Sequence, residues 1–258
     1  MRIATWNVNS IRTRKALVID FLHQADIDVV LMQETKCRDD QFPLEDFESA
    51  GYEVAHFGLN QWNGVAFAYR EDLVPEDVET SFYQQPEFKE VQEARALGAT
   101  FNGVRVWSIY VPNGRELDDP HMQYKLEFLD RLAATMAEQL EMDPSLEIAV
   151  VGDFNVAPLD EDVYDLSMFE THISQPERDA FEAFEQVGLT DKVRELVPNA
   201  YTYWDYKDLC FPKNNGMRID FMLTSEALTE RITAATIERD ERKGELPSDH
   251  VPVVLTIS

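Results

Sequence analysis

The sequence predicts an α/β protein built as a four-layer sandwich, with two mixed β-sheets face to face and helices outside. Strand-like and helix-like runs alternate in both halves of the chain. Two Asn-Gly pairs stand between strand-like runs, and several runs are apolar throughout, as strands covered on both faces must be. "RIATWNV" reads as the first strand. "TRKALVIDFLHQA" follows as an amphipathic helix, with Leu17, Phe21 and Ala25 on one stripe and Val18 and Leu22 beside it. "DVVLMQ" is a short buried strand. "YEVAHF" and "GVAFAYR" flank a turn at Asn63-Gly64, and "ALGATF" and "VRVWSIYV" flank Asn102-Gly103, the strongest short hairpin signal. The longest helix runs from about Pro120 to Met142, with Leu126, Leu129, Ala133, Met136 and Leu140 as its core stripe. A buried strand then ends at Gly152. A further helix starts at "SQPE", where Ser174 and Glu177 have capping-box spacing; it turns Phe181, Phe184 and Val187 inward and stops at Gly188. "AYTYW", "MRIDFMLT", "ITAATIE" and "HVPVVLTI" complete the strands. No linker or low-complexity run divides the chain, so one domain over residues 1–258 is expected.

The charge balance narrows the function classes. Against 23 basic residues stand 49 acidic ones, a formal charge of −26. Such a surface repels nucleic acid at long range, which argues against a binder driven by non-specific charge. It leaves room for a local basic patch, or for divalent cations bridging acidic groups to a phosphate; adaptation to a salty interior is another origin. Cys37 and Cys210 are the only cysteines and give no disulfide framework, so a reducing cytoplasm is expected. "MRIATWNVNS" lacks the apolar core of a signal peptide, and no run approaches a membrane span.

Polar groups gather where strands end. Asn7 follows the first strand, Glu34 follows "VVLMQ", and Asp153 and Asn155 follow "AVVG". Asp220 lies inside "MRIDFML", and Asp249 and His250 open the last strand. Singly, each reads as a solvated loop residue, a cap or a turn. Asp220 resists that reading, because an acid in an apolar strand needs a partner or a cation. Together, five segments delivering Asn, Asp, Glu or His point to a carboxylate-rich metal site. No Cys or His cluster has zinc spacing.

The motifs "WNVNSIR", "QETK", "NGVAF", "YVPNG", "GDFN", "RIDF" and "SDH", in this order from Ile3 to about Val254, resemble the exonuclease III family of abasic-site endonucleases. These belong to the endonuclease/exonuclease/phosphatase superfamily. The resemblance implies a deoxyribonuclease I-like fold and a magnesium-dependent hydrolase, manganese being an alternative metal. It makes Glu34 the direct metal ligand, with Asn7 and Asp249 beside it. Asp153 matches the catalytic aspartate, and Asn155 would orient water or phosphate. Tyr110 matches a phosphate-contacting tyrosine, with Asn113 in the same loop. His250 and Asp220 look like a pair in which the carboxylate favours a protonated imidazole facing the phosphate. Which of Asp153 and His250 is the general base stays open.

Two features lean toward DNA. "SIRTRK" sets Arg12, Arg14 and Lys15 in a first helical turn, where cations oppose the helix dipole, so a phosphate-contact role is expected; Lys36, Arg115, Lys125, Lys213 and Arg218 extend the patch. "YTYWDY" and "NNGMRID" match the segments that build the family's pocket for a flipped-out abasic sugar, with Tyr203, Trp204, Met217 and Ile219 as apolar walls. The implied reaction is cleavage of duplex DNA 5′ to abasic sites, with 3′ ends as further substrates. A monomer with no membrane association is expected. Turnover of an inositol phosphate instead would mark a phosphatase or phosphodiesterase on the same scaffold. Loss of site residues would mark a non-catalytic nucleic-acid-binding relative, and none is missing.

Overall fold

A computed structural model describes residues 1–258. The first half contains β1 (Arg2–Asn7), α1 (Ile11–Gln24), β2 (Val29–Gln33), α2 (Leu44–Ser49), β3 (Tyr52–Phe57), β4 (Val65–Arg70), β5 (Glu76–Glu79), β6 (Ala96–Phe101), β7 (Val104–Tyr110) and α3 (Pro120–Met142). The rest contains β8 (Ile148–Asp153), α4 (Gln175–Gln186), β9 (Leu189–Thr190), α5 (Lys192–Leu196), α6 (Cys210–Lys213), β10 (Asp220–Ser225), α7 (Glu226–Thr229), β11 (Ile232–Ile237) and β12 (Val253–Ile257). One six-stranded sheet has the order β11-β12-β1-β2-β4-β3 and the other β5-β6-β7-β8-β10-β9. At the centre of each lies one parallel pair, β1 with β2 and β7 with β8, joined by a helical crossover through α1 or α3. Every other pairing is antiparallel.

Side-chain alternation along the strands makes the layers. On β1, Ile3 faces the opposite sheet, while Ala4 and Trp6 face α1. On β8, Ala149 and Val151 face the opposite sheet, while Ile148 and Val150 pack under α3 and α4. The predicted four-layer sandwich is therefore the observed one. The inter-sheet layer is not wholly apolar. Gln33 Nε2 donates to Thr5 Oγ1 at 3.0 Å and to Ser108 Oγ at 3.0 Å, and Ser108 Oγ donates to the Met32 carbonyl at 3.0 Å.

Helix α3 has the predicted bounds, and Leu129, Ala133 and Met136 are buried as expected. The Ser174–Glu177 capping box forms, with Ser174 N 3.2 Å from Glu177 Oε2. At Asn102-Gly103 both φ angles are positive, +50° and +83°, as a two-residue type I′ hairpin demands. Four expectations need correction. The buried face of α1 is Ile11, Val18, Phe21 and Leu22, so Leu17 and Ala25 sit on its edge. Asn63-Gly64 is no tight turn, because residues 58–64 all separate β3 from β4; Gly64 is held there by close approach, a β-carbon falling 2.1 Å from Thr35 Oγ1. "AYTYW" is not a strand. Thr202 and Tyr203 exchange backbone bonds with Met217, while Trp204 and Thr202 bond Asp249 and Val251, so this segment bridges the lead-ins to β10 and β12. β12 begins only after Pro252, which has no N–H for a ladder.

Gly152 sits at φ +142°, where a β-carbon would lie 1.9 Å from the Ile109 carbonyl oxygen of the neighbouring strand. Backbone against backbone cannot yield cheaply. Gly152→Ala is expected to lower folding stability by about 3 kcal/mol, read as a fall in the urea midpoint.

Candidate active site

Period-two alternation decides which side chains meet. Ile3 faces inward, so Asn7, four residues on, does too; Val151 does the same for Asp153, Val106 for Tyr110 and Met222 for Asp220. Register then aligns them, since Tyr110 pairs with Asp153 and Asp153 with Asp220 in one row across the second sheet. Glu34 and Asn155 lie just past β2 and β8 with φ of +52° and +51°, left-handed turns that aim their side chains back over the strand ends.

The groups are tied together. Asn7 Nδ2 donates to Glu34 Oε1 at 3.0 Å and to Asp153 Oδ2 at 2.9 Å. Asn155 N donates to Asp153 Oδ1 at 2.9 Å. His250 Nδ1 lies 2.8 Å from Asp220 Oδ2, and its Nε2 points at Asp153 Oδ2 from 3.8 Å. Ser248 Oγ donates to the Asn7 carbonyl at 2.7 Å and Trp6 Nε1 to the His250 carbonyl at 3.1 Å, which fix the last loop onto β1. Asp249 is held from behind by Asn9 Nδ2 at 2.9 Å.

Burial raises the Asp153 carboxyl to about 7, with His250 working against that shift and Asp220 and Glu34 with it. Burial alone would depress the His250 imidazolium, but Asp220, Asp153 and Asp249 outweigh it and raise the group to about 10. Glu34 ends below the usual carboxylate range: burial pushes it up, and Lys36 and Asn7 more than reverse that. Burial pushes the Tyr110 phenol well up, so it stays a proton donor.

These groups line a cavity of about 380 Å³. Glu34, Asp153 and Asp249 open onto it as oxygen donors, with no thiolate among the strand-end groups, a set that suits a hard divalent cation. Asp153, Asp220 and His250 also lie close enough to share an ion, their ligand atoms within 4.8 Å of one another. Nδ1 of His250 is engaged by Asp220, which leaves only Nε2 to face the cavity. Glu34, its Oε1 accepting from Asn7 and its Oε2 paired with Lys36 at 2.8 Å, could hold such a cation with Asp249.

Of the residues expected from sequence, Tyr110, Asn113, Asn155, Tyr203, Met217, Ile219 and His250 also line the cavity. Asn7 and Asp220 stand behind it, touching lining residues. Two expected substrate contacts do not line it. Trp204 is buried, packing edge-on against Phe211 with its Nε1 3.3 Å from Asn214 Oδ1. Arg12 lies exposed on the flank, 3.4 Å from the Lys36 carbonyl. Part of the basic patch also dissolves. Lys125 and Arg218 are buried against Glu177 and Asp191, Lys15 pairs with Asp46, and Arg14 bonds Leu246, Pro247 and Tyr206. Sequence reasoning missed Tyr164, Phe169 and His172, which enter the cavity from the irregular stretch after β8. Only the aromatic and histidine content of "MFETH" hinted at Phe169 and His172, and nothing marked Tyr164.

Residues 4–250 match the family described as Endonuclease/Exonuclease/phosphatase family. The chain is 31% identical to an exodeoxyribonuclease of Bacillus subtilis over 268 aligned positions, covering 100% of both. Among solved structures it is similar to an AP endonuclease from Archaeoglobus fulgidus, at 34% identity and TM-score 0.91, covering 100% of this chain and 99% of that one. It is also similar to a 3′ phosphatase from Neisseria bound to a product DNA hairpin, at 33% identity and TM-score 0.93, again covering 100% and 99%.

Proposed function

This chain belongs to the endonuclease/exonuclease/phosphatase family and is a DNA-repair nuclease, and from that premise we propose that it hydrolyses the phosphodiester 5′ to abasic sites in duplex DNA and trims 3′ ends. The observation that carries this reading is one cavity with two characters, lined by the carboxylates of Glu34, Asp153 and Asp249 and also by Tyr203, Met217 and Ile219. A nucleotide without a base loses little stacking on leaving the duplex, and such a wall accepts a bare sugar. Nearby, Trp62 stands 71% exposed on the loop whose Asn63 carbonyl bonds Lys36 N, offering a surface for stacking.

Asp153 takes the proton of the attacking water, and Asn155 orients that water against the phosphorus. His250, protonated and steadied by Asp220, faces the charge that grows on the phosphoryl oxygens. Tyr110 and Asn113 donate to the phosphate. Magnesium, or manganese in its place, held by Glu34 with Asn7 and Asp249 beside it, would neutralise charge on the phosphate and leaving oxygens. The enzyme acts as a monomer on duplex DNA in the cytoplasm; Cys37 and Cys210 are both unpaired, and no helix is long and apolar enough to cross a membrane.

The test offers duplexes carrying one abasic analogue, an intact strand or a blocked 3′ end, alongside an inositol phosphate. Incision 5′ to the analogue that stops with chelator is expected; turnover of the inositol phosphate alone refutes the reading. Glu34→Gln keeps the contact with Asn7 but removes the anion, and should raise the magnesium concentration for half-maximal rate at least about 10-fold. Calorimetric titration of the metal checks this independently, and unaltered affinity would displace Glu34 from the ligand set.

A further inference from the structure

Beneath the reaction centre lies an ion pair with no solvent contact. Lys125 on α3 and Glu177 on α4 are both 0% exposed, and their charged groups touch. Lys125 Nζ also donates to the carbonyl of Asn155 at 2.6 Å and of Asn113 at 3.3 Å, which uses all three of its hydrogens. Glu177 Oε1 accepts from His172 N at 3.0 Å, and Oε2 from Ser174 N and Oγ at 3.2 and 2.7 Å. Every polar atom of the pair is satisfied. Five chain segments converge there, two of them the loops that carry Asn113 and Asn155.

Such a pair is a poor device for stability, since desolvating two charges offsets most of their attraction and apolar replacements do as well or better. What it supplies is direction. The Asn155 side chain is equally determined. Its Nδ2 faces two groups that only accept, the Val111 carbonyl at 3.0 Å and Asp153 Oδ2 at 3.3 Å, so its Oδ1 must face Asn113 Nδ2 at 3.2 Å and His172 Nε2 at 3.3 Å. That orientation holds only while the main chain at Asn155, with φ +51°, stays in place.

We propose that Lys125 and Glu177 are positioning residues for phosphodiester hydrolysis: the ammonium, braced by the carboxylate, fixes the Asn155 and Asn113 carbonyls and thereby sets both carboxamides against Asp153 and the phosphate. This rests on the reaction proposed above. A misplacement near 1 Å costs about 100-fold in rate, and the loss falls on kcat because ground-state DNA contacts elsewhere persist.

Lys125→Met alone leaves a buried carboxylate unpaired and can fail to fold, so the deciding variant is Lys125→Met/Glu177→Leu. Its urea midpoint is expected below the wild type, because His172 N, Ser174 and the two asparagine carbonyls lose their partners, while the protein still folds, with kcat down about 100-fold and KM within about threefold. Combining it with Asn155→Ala should add little further loss, because the double variant has already released the Asn155 carboxamide. Lys125→Arg, which keeps the charge, should recover part of kcat. A folded double variant with wild-type kcat, or losses that multiply with Asn155→Ala, overturns the proposal. Abasic duplex, 3′-phosphate duplex and bis-p-nitrophenyl phosphate are run in parallel. Wild-type inactivity on abasic DNA alone refutes the proposed reaction, while the variants are still decided on whichever ester the wild type cleaves. Inactivity on all three refutes both.

Discussion

Asp153→Asn should abolish nearly all turnover, lowering the single-turnover rate on an abasic duplex by about 10³-fold or more while the fold survives. The substitution is nearly isosteric. Its remaining oxygen can still accept from Asn155 N, and the site is 1% exposed, so no new surface is made. What disappears is the negative charge, the capacity to take a proton and the acceptor at Oδ2, where the amide NH2 then faces Asn7 Nδ2. The native carboxylate is poised to accept one. Burial first, then the charges of Asp220 and Glu34 against the pull of His250, bring it to about 7, near the pH at which it must cycle. Circular dichroism and a urea titration establish that the variant is folded. Cleavage at the wild-type rate by the folded variant would remove Asp153 from the mechanism and leave His250 as the base.

His250→Gln should cost about 10²- to 10³-fold in kcat, the size expected when one preorganised donor to a developing oxyanion is lost. Asp220→Asn is the more informative partner change. The amide can still accept from Nδ1–H, so geometry is kept and charge is not. Since Asp220 is the largest force raising His250 to about 10, the imidazole should titrate lower in the variant. The sign for stability follows from the same shift. A histidine raised in the folded state contributes stability that is fully present below its unfolded value near 6.5 and is lost as pH climbs through about 10. Wild-type protein should therefore weaken steadily across pH 6.5 to 10, and Asp220→Asn should flatten that slope. The ring-proton NMR titration of His250 in metal-free protein and urea midpoints across that window check both statements. An imidazole titrating near 6.5 in the wild type would contradict them.

Periodicity and turn chemistry carried most of the architecture. The α3 stripe, the Asn102-Gly103 hairpin and the Ser174 cap are local features, and each is present where local rules put it. The cluster of strand-end polar groups was legible for a related reason: Asn7, Asp153 and Asp220 break apolar runs and alternation fixes which face they take, while Glu34, just past β2, is aimed by its left-handed turn. Legibility failed where partners are remote. Lys125 looks like any helical lysine until Glu177, 52 residues away, meets it inside the protein. The resemblance of "YTYWDY" to the family's pocket segment covers Tyr203 and Trp204 alike, but a bridging segment alternates, and the indole turns toward Phe211 while Tyr203 lines the cavity. The stretch after β8 has neither period nor repeat, so Phe169 and His172 could not be placed before the chain was folded around them.

The groups assigned to the proposed reaction are divided between the two halves of the sandwich: Asn7 and Glu34 hang from one sheet, Tyr110, Asp153 and Asp220 from the other. Apolar surfaces tolerate lateral slip, and a slip of about half an ångström would undo a bond such as the 2.9 Å reach from Asn7 to Asp153. Gln33 and Ser108, meeting between the sheets, act as a dowel, because their bonds are satisfied at one offset only. Catalytic tolerance in this molecule is thus a docking tolerance, and neither sheet folded by itself would contain an assembled centre.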